Sequence, residues 1–189
     1  MAESIDAVLD KLLTIPGPTT RDQMRLFMET VFKYKPDLSV EIGVFQGRGL
    51  CTLATAHKIL GIGKVIGIDP YVPNPEPENG QAFGDEAMYQ QCLKYIEELG
   101  LQDYAEIIRQ SSDDVIPPPR ISILRVDGKH GYQSMIDVIR FGDAMVPGGA
   151  LFLDDDAWAG AEGATDWLRA HYWIRRQGMD TGSVWEKPI

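Results

Sequence analysis

Apolar side chains at Ile5, Val8, Leu9 and Leu12 recur at the spacing of one helix face, and Ile15-Pro16-Gly17-Pro18 ends that run. Thr19 or Thr20 is placed to cap a second helix reaching Lys33, with Met24, Phe27, Met28, Val31 and Phe32 as its apolar set. The period then changes. Leu38 to Ile42 reads as a short strand, Gly43-Val-Phe-Gln-Gly-Arg-Gly49 as a glycine-bearing turn and Leu50 to Leu60 as a helix. Val65 to Ile68 is a second strand ending at Asp69-Pro70, which completes a parallel beta-alpha-beta unit.

Prolines at 73, 75 and 77 exclude Tyr71 to Gln81 from a central strand or regular helix and predict an exposed loop. A helix over Gly84 to Leu99, a third strand over Tyr104 to Arg109 and a short helix over Ser111 to Ile116 follow. Ile121 to Val126, nearly all apolar, is the fourth strand and ends at Asp127. Tyr132 to Phe141 predicts a helix, Pro147-Gly-Gly149 a turn, and Ala150 to Leu153 a fifth strand ending in Asp154-Asp155-Asp156. After a helix around Ala161 to Ala170, Tyr172 to Arg176 and Ser183 to Lys187 read as two last strands joined like a hairpin. The alternation predicts an α/β fold with a parallel core and one antiparallel edge element. It is read as one domain, 1–189, with residues 1–35 as an amino-terminal helical extension.

Composition narrows the partners. A hydrophobic share of 44% requires a folded core, and 28 acidic against 18 basic residues give a net charge of -10, which disfavours nucleic acid or an anionic membrane surface. Cys51 and Cys92 form neither a C-x-x-C pair nor a disulfide framework, so a reduced, cytoplasmic setting is expected. The start of the chain lacks a secretory pattern, and no stretch approaches 18 uninterrupted apolar residues.

In a parallel sheet, ligands gather beyond the carboxyl ends of the strands. The residues there are Glu41 and Gly43, Asp69, Ser111 to Asp114, Asp127 to His130, and Asp154 to Asp156. Gly43, Gly47 and Gly49 allow close backbone approach, but their spacing is neither the dinucleotide fingerprint nor a phosphate loop. Asp69 is placed to accept from a ribose diol. Asp127, Asp154 and Asp155, on neighbouring strand ends, can converge on one hard cation, with magnesium favoured over calcium or manganese. His130 or Lys129 is the candidate base, and Tyr71 and Trp158 are candidate walls of an acceptor pocket.

Four segments, Val40 to Gly49, Gly67 to Pro70, Arg125 to Tyr132 and Gly148 to Asp156, together resemble the class I S-adenosylmethionine-dependent methyltransferases. Within that superfamily the chain is similar to small metal-dependent O-methyltransferases of the antibiotic-sugar and catechol types, from about residue 20 to the end. The resemblance implies a Rossmann-like, seven-stranded, mostly parallel sheet of order 3-2-1-4-5-7-6 with helices on both faces. It implies that Glu41 and Gly43 meet the methionine part of the cofactor, Gly49 closes its turn, Asp69 binds the ribose, and Ser112 and Asp113 lie near the adenine edge. Asp127, Asp154 and Asp155 match the family's metal ligands. Sugar-modifying relatives carry an acid where this chain has Lys129, and catechol relatives a lysine where it has His130, so neither base pattern transfers whole.

The expected function is Mg2+-dependent methyl transfer from S-adenosyl-L-methionine to one of two adjacent oxygens on a sugar or catechol-like natural-product intermediate. The alternatives are a nucleotide-dependent oxidoreductase of Rossmann type and a non-catalytic, methyltransferase-like binding module. The partner expected is a small molecule, and the apolar amino-terminal helices are compatible with a homodimer.

Overall fold

Two capped helices open the chain in the computed structural model, which describes residues 4–73, 84–157, 162–179 and 181–189. In α1 (Ile5–Leu12) the Ser4 hydroxyl accepts the Ala7 N–H at 3.3 Å. In α2 (Arg21–Tyr34) Thr20 Oγ1 accepts the Gln23 N–H at 3.3 Å, and Gln23 Oε1 accepts the Thr20 N–H at 2.8 Å, a reciprocal cap. Val8, Leu9 and Leu12 of α1 and Met24, Phe27, Met28 and Val31 of α2 are buried in one cluster. Burying such side chains stabilises a helix by about 1.5–3 kcal/mol each, which a two-turn helix needs because it is marginal alone.

The remaining elements among the described residues are β1 (Leu38–Ile42), α3 (Arg48–Leu60), β2 (Lys64–Ile68), α4 (Glu86–Glu98), β3 (Ala105–Ile108), a one-turn 3-10 helix at Ser112–Asp114, β4 (Ile121–Val126), α5 (Tyr132–Asp143), β5 (Met145–Leu153), α6 (Glu162–Ala170), β6 (Ile174–Gly178) and β7 (Ser183–Glu186). They form one seven-stranded sheet of order β3-β2-β1-β4-β5-β7-β6. Alternation assigns the faces. Val65, Ile123, Phe152 and Val184 join the cluster under α1 to α4, while Ile66, Leu124, Leu151, Leu153 and Trp185 pack under α5 and α6.

Two expectations change. The strand order is the one the resemblance implies, with β7 inside β6, but the antiparallel strand is not at the edge: β7 runs antiparallel to both β5 and β6, so the edge strand β6 shares the direction of the parallel set. Burial explains the placement, because β7 carries Val184 and Trp185, 7% and 1% exposed, whereas every residue of the polar β6 is exposed. Pro147-Gly148-Gly149 is not a turn before the fifth strand but part of it. Pairing steps from Ile121↔Met145 to Ile123↔Ala150, so these residues bulge within β5, with Gly148 at φ +75°.

Besides the shared apolar cluster, one side chain ties the link between α1 and α2 to the rest. Arg48, opening α3, donates to the carbonyls of Ile15 at 2.6 Å, Thr19 at 2.9 Å and Leu13 at 3.4 Å, and to that of Gly17. The link between α1 and α2 thereby lies on the glycine turn after β1. Among the described residues no helix is long and apolar enough to cross a membrane.

Candidate active site

The register of three parallel strands builds the site. Glu41 of β1 pairs with Arg125 of β4, and Arg125 with Phe152 of β5, so all three point to the face beneath α2. Two residues further along, on the same face, come Asp127 and Asp154. Glu41 and Arg125 are 0% and 2% exposed. The Arg125 guanidinium donates through Nη1 to Glu41 Oε1, and through Nη2 to Asp127 Oδ2, to Asp154 Oδ2 at 3.2 Å and to Thr19 Oγ1 at 3.4 Å. Its Cζ stands 5.1 Å from the centre of the Phe27 ring, which itself meets Phe152 edge-on at 4.8 Å.

Asp154 is held from its other side too. Its Oδ1 accepts the Asp155 N–H at 3.1 Å and the Thr181 hydroxyl, and Thr181 Oγ1 accepts from Gln23 Nε2 at 3.1 Å. Asp155 adopts a left-handed backbone, φ +49°, and its Oδ2 lies 3.5 Å from His130 Nε2. One carboxylate oxygen each from Asp127, Asp154 and Asp155 falls within 4.8 Å of the others, the convergence predicted for a cation. Burial pushes the Glu41 and Asp127 carboxyls up, and the Arg125 guanidinium pulls both back down. Burial, then the Asp154 charge, raises Asp155 as well.

Beside this cluster lies the glycine turn. Gly43, at φ +87°, leaves no room for a side chain: a Cβ there would collide with the Asp127 carbonyl and sit 2.7 Å from the Gly128 Cα. At Gly47, φ +91°, it would come within 2.5 Å of Cys92 Sγ, and at Gly49 it would strike Glu41 Oε1. The three glycines therefore admit the protein's own atoms. Asp69 organises the turn, its Oδ2 accepting from the N–H groups of Val44 and Phe45 at 3.0 Å each and its Oδ1 from Tyr71 N–H at 2.8 Å. A carboxylate has about four acceptor positions, of which the described residues fill three.

The other expected residues divide. Ser112 is buried, and its carbonyl accepts from Arg140 at 2.7 Å, while Asp113 Oδ1 accepts from Gln133 at 2.9 Å, so both are joined to α5 at the rim. Tyr71 is 1% exposed, with its ring 5.2 Å from that of Tyr89, which puts it in the core rather than on an open wall. Lys129 is exposed, whereas His130 is partly buried beside Asp155. Trp158 lies outside the described residues.

A model of the methyltransferase domain matches residues 40–156, well over half of the chain and every strand end that builds the site. The chain belongs to this methyltransferase family. No curated protein matches it. Among solved structures, the methyltransferase is similar to the O-methyltransferase NovP, at 16% identity and a TM-score of 0.77, over 97% of this chain and 99% of that one. An O-methyltransferase from Bacillus cereus in complex with SAH shares 14% identity at a TM-score of 0.70, over 97% and 92%. CalS11, a TDP-rhamnose 3'-O-methyltransferase of calicheamicin biosynthesis, shares 15% at 0.65, over 98% and 96%. At such identities the likeness is one of fold.

The residues of the methyltransferase fit a cationic, donor-bearing methyl carrier. Glu41 Oε2 is buried without a partner among the described residues, an acceptor left for a further donor. The acid trio fits a divalent ion as well, because Arg125 offsets only part of the charge of four clustered carboxylates. Thiol chemistry does not fit: burial pushes Cys92 up to about 12 and Cys51 higher still. Sequence reasoning missed Arg125, Thr19, Gln23 and Thr181. Arg125 left a signal, a lone charge inside the apolar strand Ile-Ser-Ile-Leu-Arg-Val. The others are ordinary polar residues until the fold brings them to the rim.

Proposed function

We propose that the methyltransferase moves the methyl group of S-adenosylmethionine to a hydroxyl of a small molecule bearing two adjacent oxygens, with Mg2+ held by Asp127, Asp154 and Asp155. The observation that carries this reading is the convergence of those three carboxylates within 4.8 Å, on strand ends neighbouring Glu41. A divalent ion at this place supplies positive charge that favours the ionised form of an acceptor hydroxyl. Glu41 and the turn over Gly43 to Gly49 bind the methionine end of the donor, and Asp69 receives the ribose hydroxyls. Ser112 and Asp113 border the adenine. His130, its Nε2 turned to Asp155, takes the acceptor proton. Most of the rate enhancement comes from positioning donor and acceptor in line. A sugar or catechol-like diol of natural-product metabolism is the acceptor class proposed, and the sugar hydroxyl named for CalS11 supports it.

Asp155→Asn tests the reading, since Asp155 has fewer structural partners than Asp154. Methyl transfer from labelled S-adenosylmethionine to a panel of vicinal diols is expected to need Mg2+ in the wild type. The variant should lose at least about 100-fold in kcat, a loss of about 2.7 kcal/mol, while S-adenosylhomocysteine still binds. Full activity in EDTA, or in the variant, refutes the metal assignment.

A further inference from the structure

Three carboxylates, those of Glu41, Asp127 and Asp154, meet one guanidinium at the centre of this site, and nothing in the expected chemistry assigns that guanidinium a task. Arg125 stands on the strand between Leu124 and Val126, is 2% exposed, and grips Glu41 with one nitrogen and Asp127 with Asp154 with the other. The Phe27 ring covers it at 5.1 Å, and among the described residues its buried Nε has no partner. Taking a guanidinium out of water is strongly unfavourable unless opposite charge surrounds it, and gathering carboxylates without a cation is equally so. Each side of the cluster makes the other tolerable.

Resting on the reading of the trio as a metal site, we propose that Arg125 is a resident counter-cation and positioning residue of that site. It neutralises and aims Asp127 and Asp154 before any divalent ion arrives, so the fold does not depend on the ion. Arginine and ion act on the same two carboxylates, and their stabilising effects overlap. In the wild type, Mg2+ therefore adds little to the stability of a cluster that already contains a cation. Without Arg125 the carboxylates repel one another, and the ion becomes a condition of stable folding.

The test compares wild type, Arg125→Met and Arg125→Lys by thermal unfolding in EDTA and in saturating Mg2+, with Mg2+ affinity measured by calorimetric titration. In EDTA the methionine variant is expected to melt at least about 10 °C below wild type, as breaking a buried ion cluster implies for a chain of this size. Mg2+ should restore about half of that loss, shift wild type far less, and bind the methionine variant about tenfold more tightly, because a nearby positive charge is gone. The lysine variant keeps the charge but not the fork and should fall between the two in both measures. Equal Mg2+ shifts in wild type and methionine variant overturn the proposal, as does a methionine variant unfolded with and without Mg2+. A lysine variant as dependent on Mg2+ as the methionine variant overturns it too, since charge is then not the cause. Wild type that binds no Mg2+ refutes the metal reading, and this inference with it. If wild type binds the ion and the variants fail, only the role of Arg125 falls.

Discussion

Gly43 is where the turn after β1 touches the backbone of Asp127, and replacing it by alanine tests how tightly the two halves of the site are joined. Two costs add. A left-handed backbone, φ +87° here, costs a residue with a Cβ about 1–2 kcal/mol. The new methyl would also collide with the Asp127 carbonyl and lie 2.7 Å from the Gly128 Cα, both backbone atoms that cannot rotate away, which adds about 1–3 kcal/mol of overpacking. The sum is about 2–5 kcal/mol, or a fall in Tm of about 4–20 °C. Gly61 supplies the control, for at φ +68° it shares the backbone cost but has nothing within 4 Å of an added Cβ. Urea unfolding of Gly43→Ala and Gly61→Ala should show the first destabilised by at least about 1 kcal/mol more than the second, without a change in m. The affinity for S-adenosylhomocysteine should fall only in the first. Equal stabilities, within about 0.5 kcal/mol, would refute the claim that contact between the turn and Asp127 sets the cost.

Asp69→Ala should weaken S-adenosylhomocysteine binding and also destabilise the fold by about 2–4 kcal/mol, because three backbone N–H groups lose a charged acceptor. Asp69→Asn keeps one acceptor oxygen and should recover about half of that stability, and calorimetry with thermal unfolding checks both; an alanine variant as stable as wild type contradicts the turn-holding role. His57, buried with Nε2 2.9 Å from Ser39 Oγ and Nδ1 2.9 Å from the Ile62 carbonyl, is held below its ordinary 6.5 by burial. Its unfolded form therefore takes up a proton that the folded form resists, and stability falls as pH drops below about 6.5 toward the lowered folded value. Urea titrations of His57→Gln across pH 5 to 8 should show an acid-side slope shallower by up to about 1.4 kcal/mol per pH unit, and an unchanged slope would exclude His57 as its source.

The sequence by itself determined the order of elements, because a change of hydrophobic period from helical to alternating or continuous is a local property. It also placed the acids at strand ends: Asp69, Asp127 and Asp154 each follow an apolar run that stops where polar groups can be satisfied, and Glu41 stands one residue inside the end of β1. Strand direction at the far side of the sheet was not local. Whether β6 or β7 takes the inner position depends on which can be buried on both faces, and Val184 and Trp185 decide that only once β5 is there to pack against. The bulge at Pro147-Gly148-Gly149 was hidden similarly, since proline and glycine mark a turn and an interrupted strand alike until the pairing with β4 is known.

Only the tertiary structure decided how the acids share their charge. Glu41 and Arg125 are 84 positions apart in sequence and become neighbours through the pairing of β1 with β4. Thr19, Gln23 and Thr181 reach Arg125 and Asp154 because α2 and the residues before β7 meet above the same rim. Local pattern fixes where a side chain stands along its own element. Which charges offset one another is a sum over distances in space, and those distances exist only after the sheet has formed.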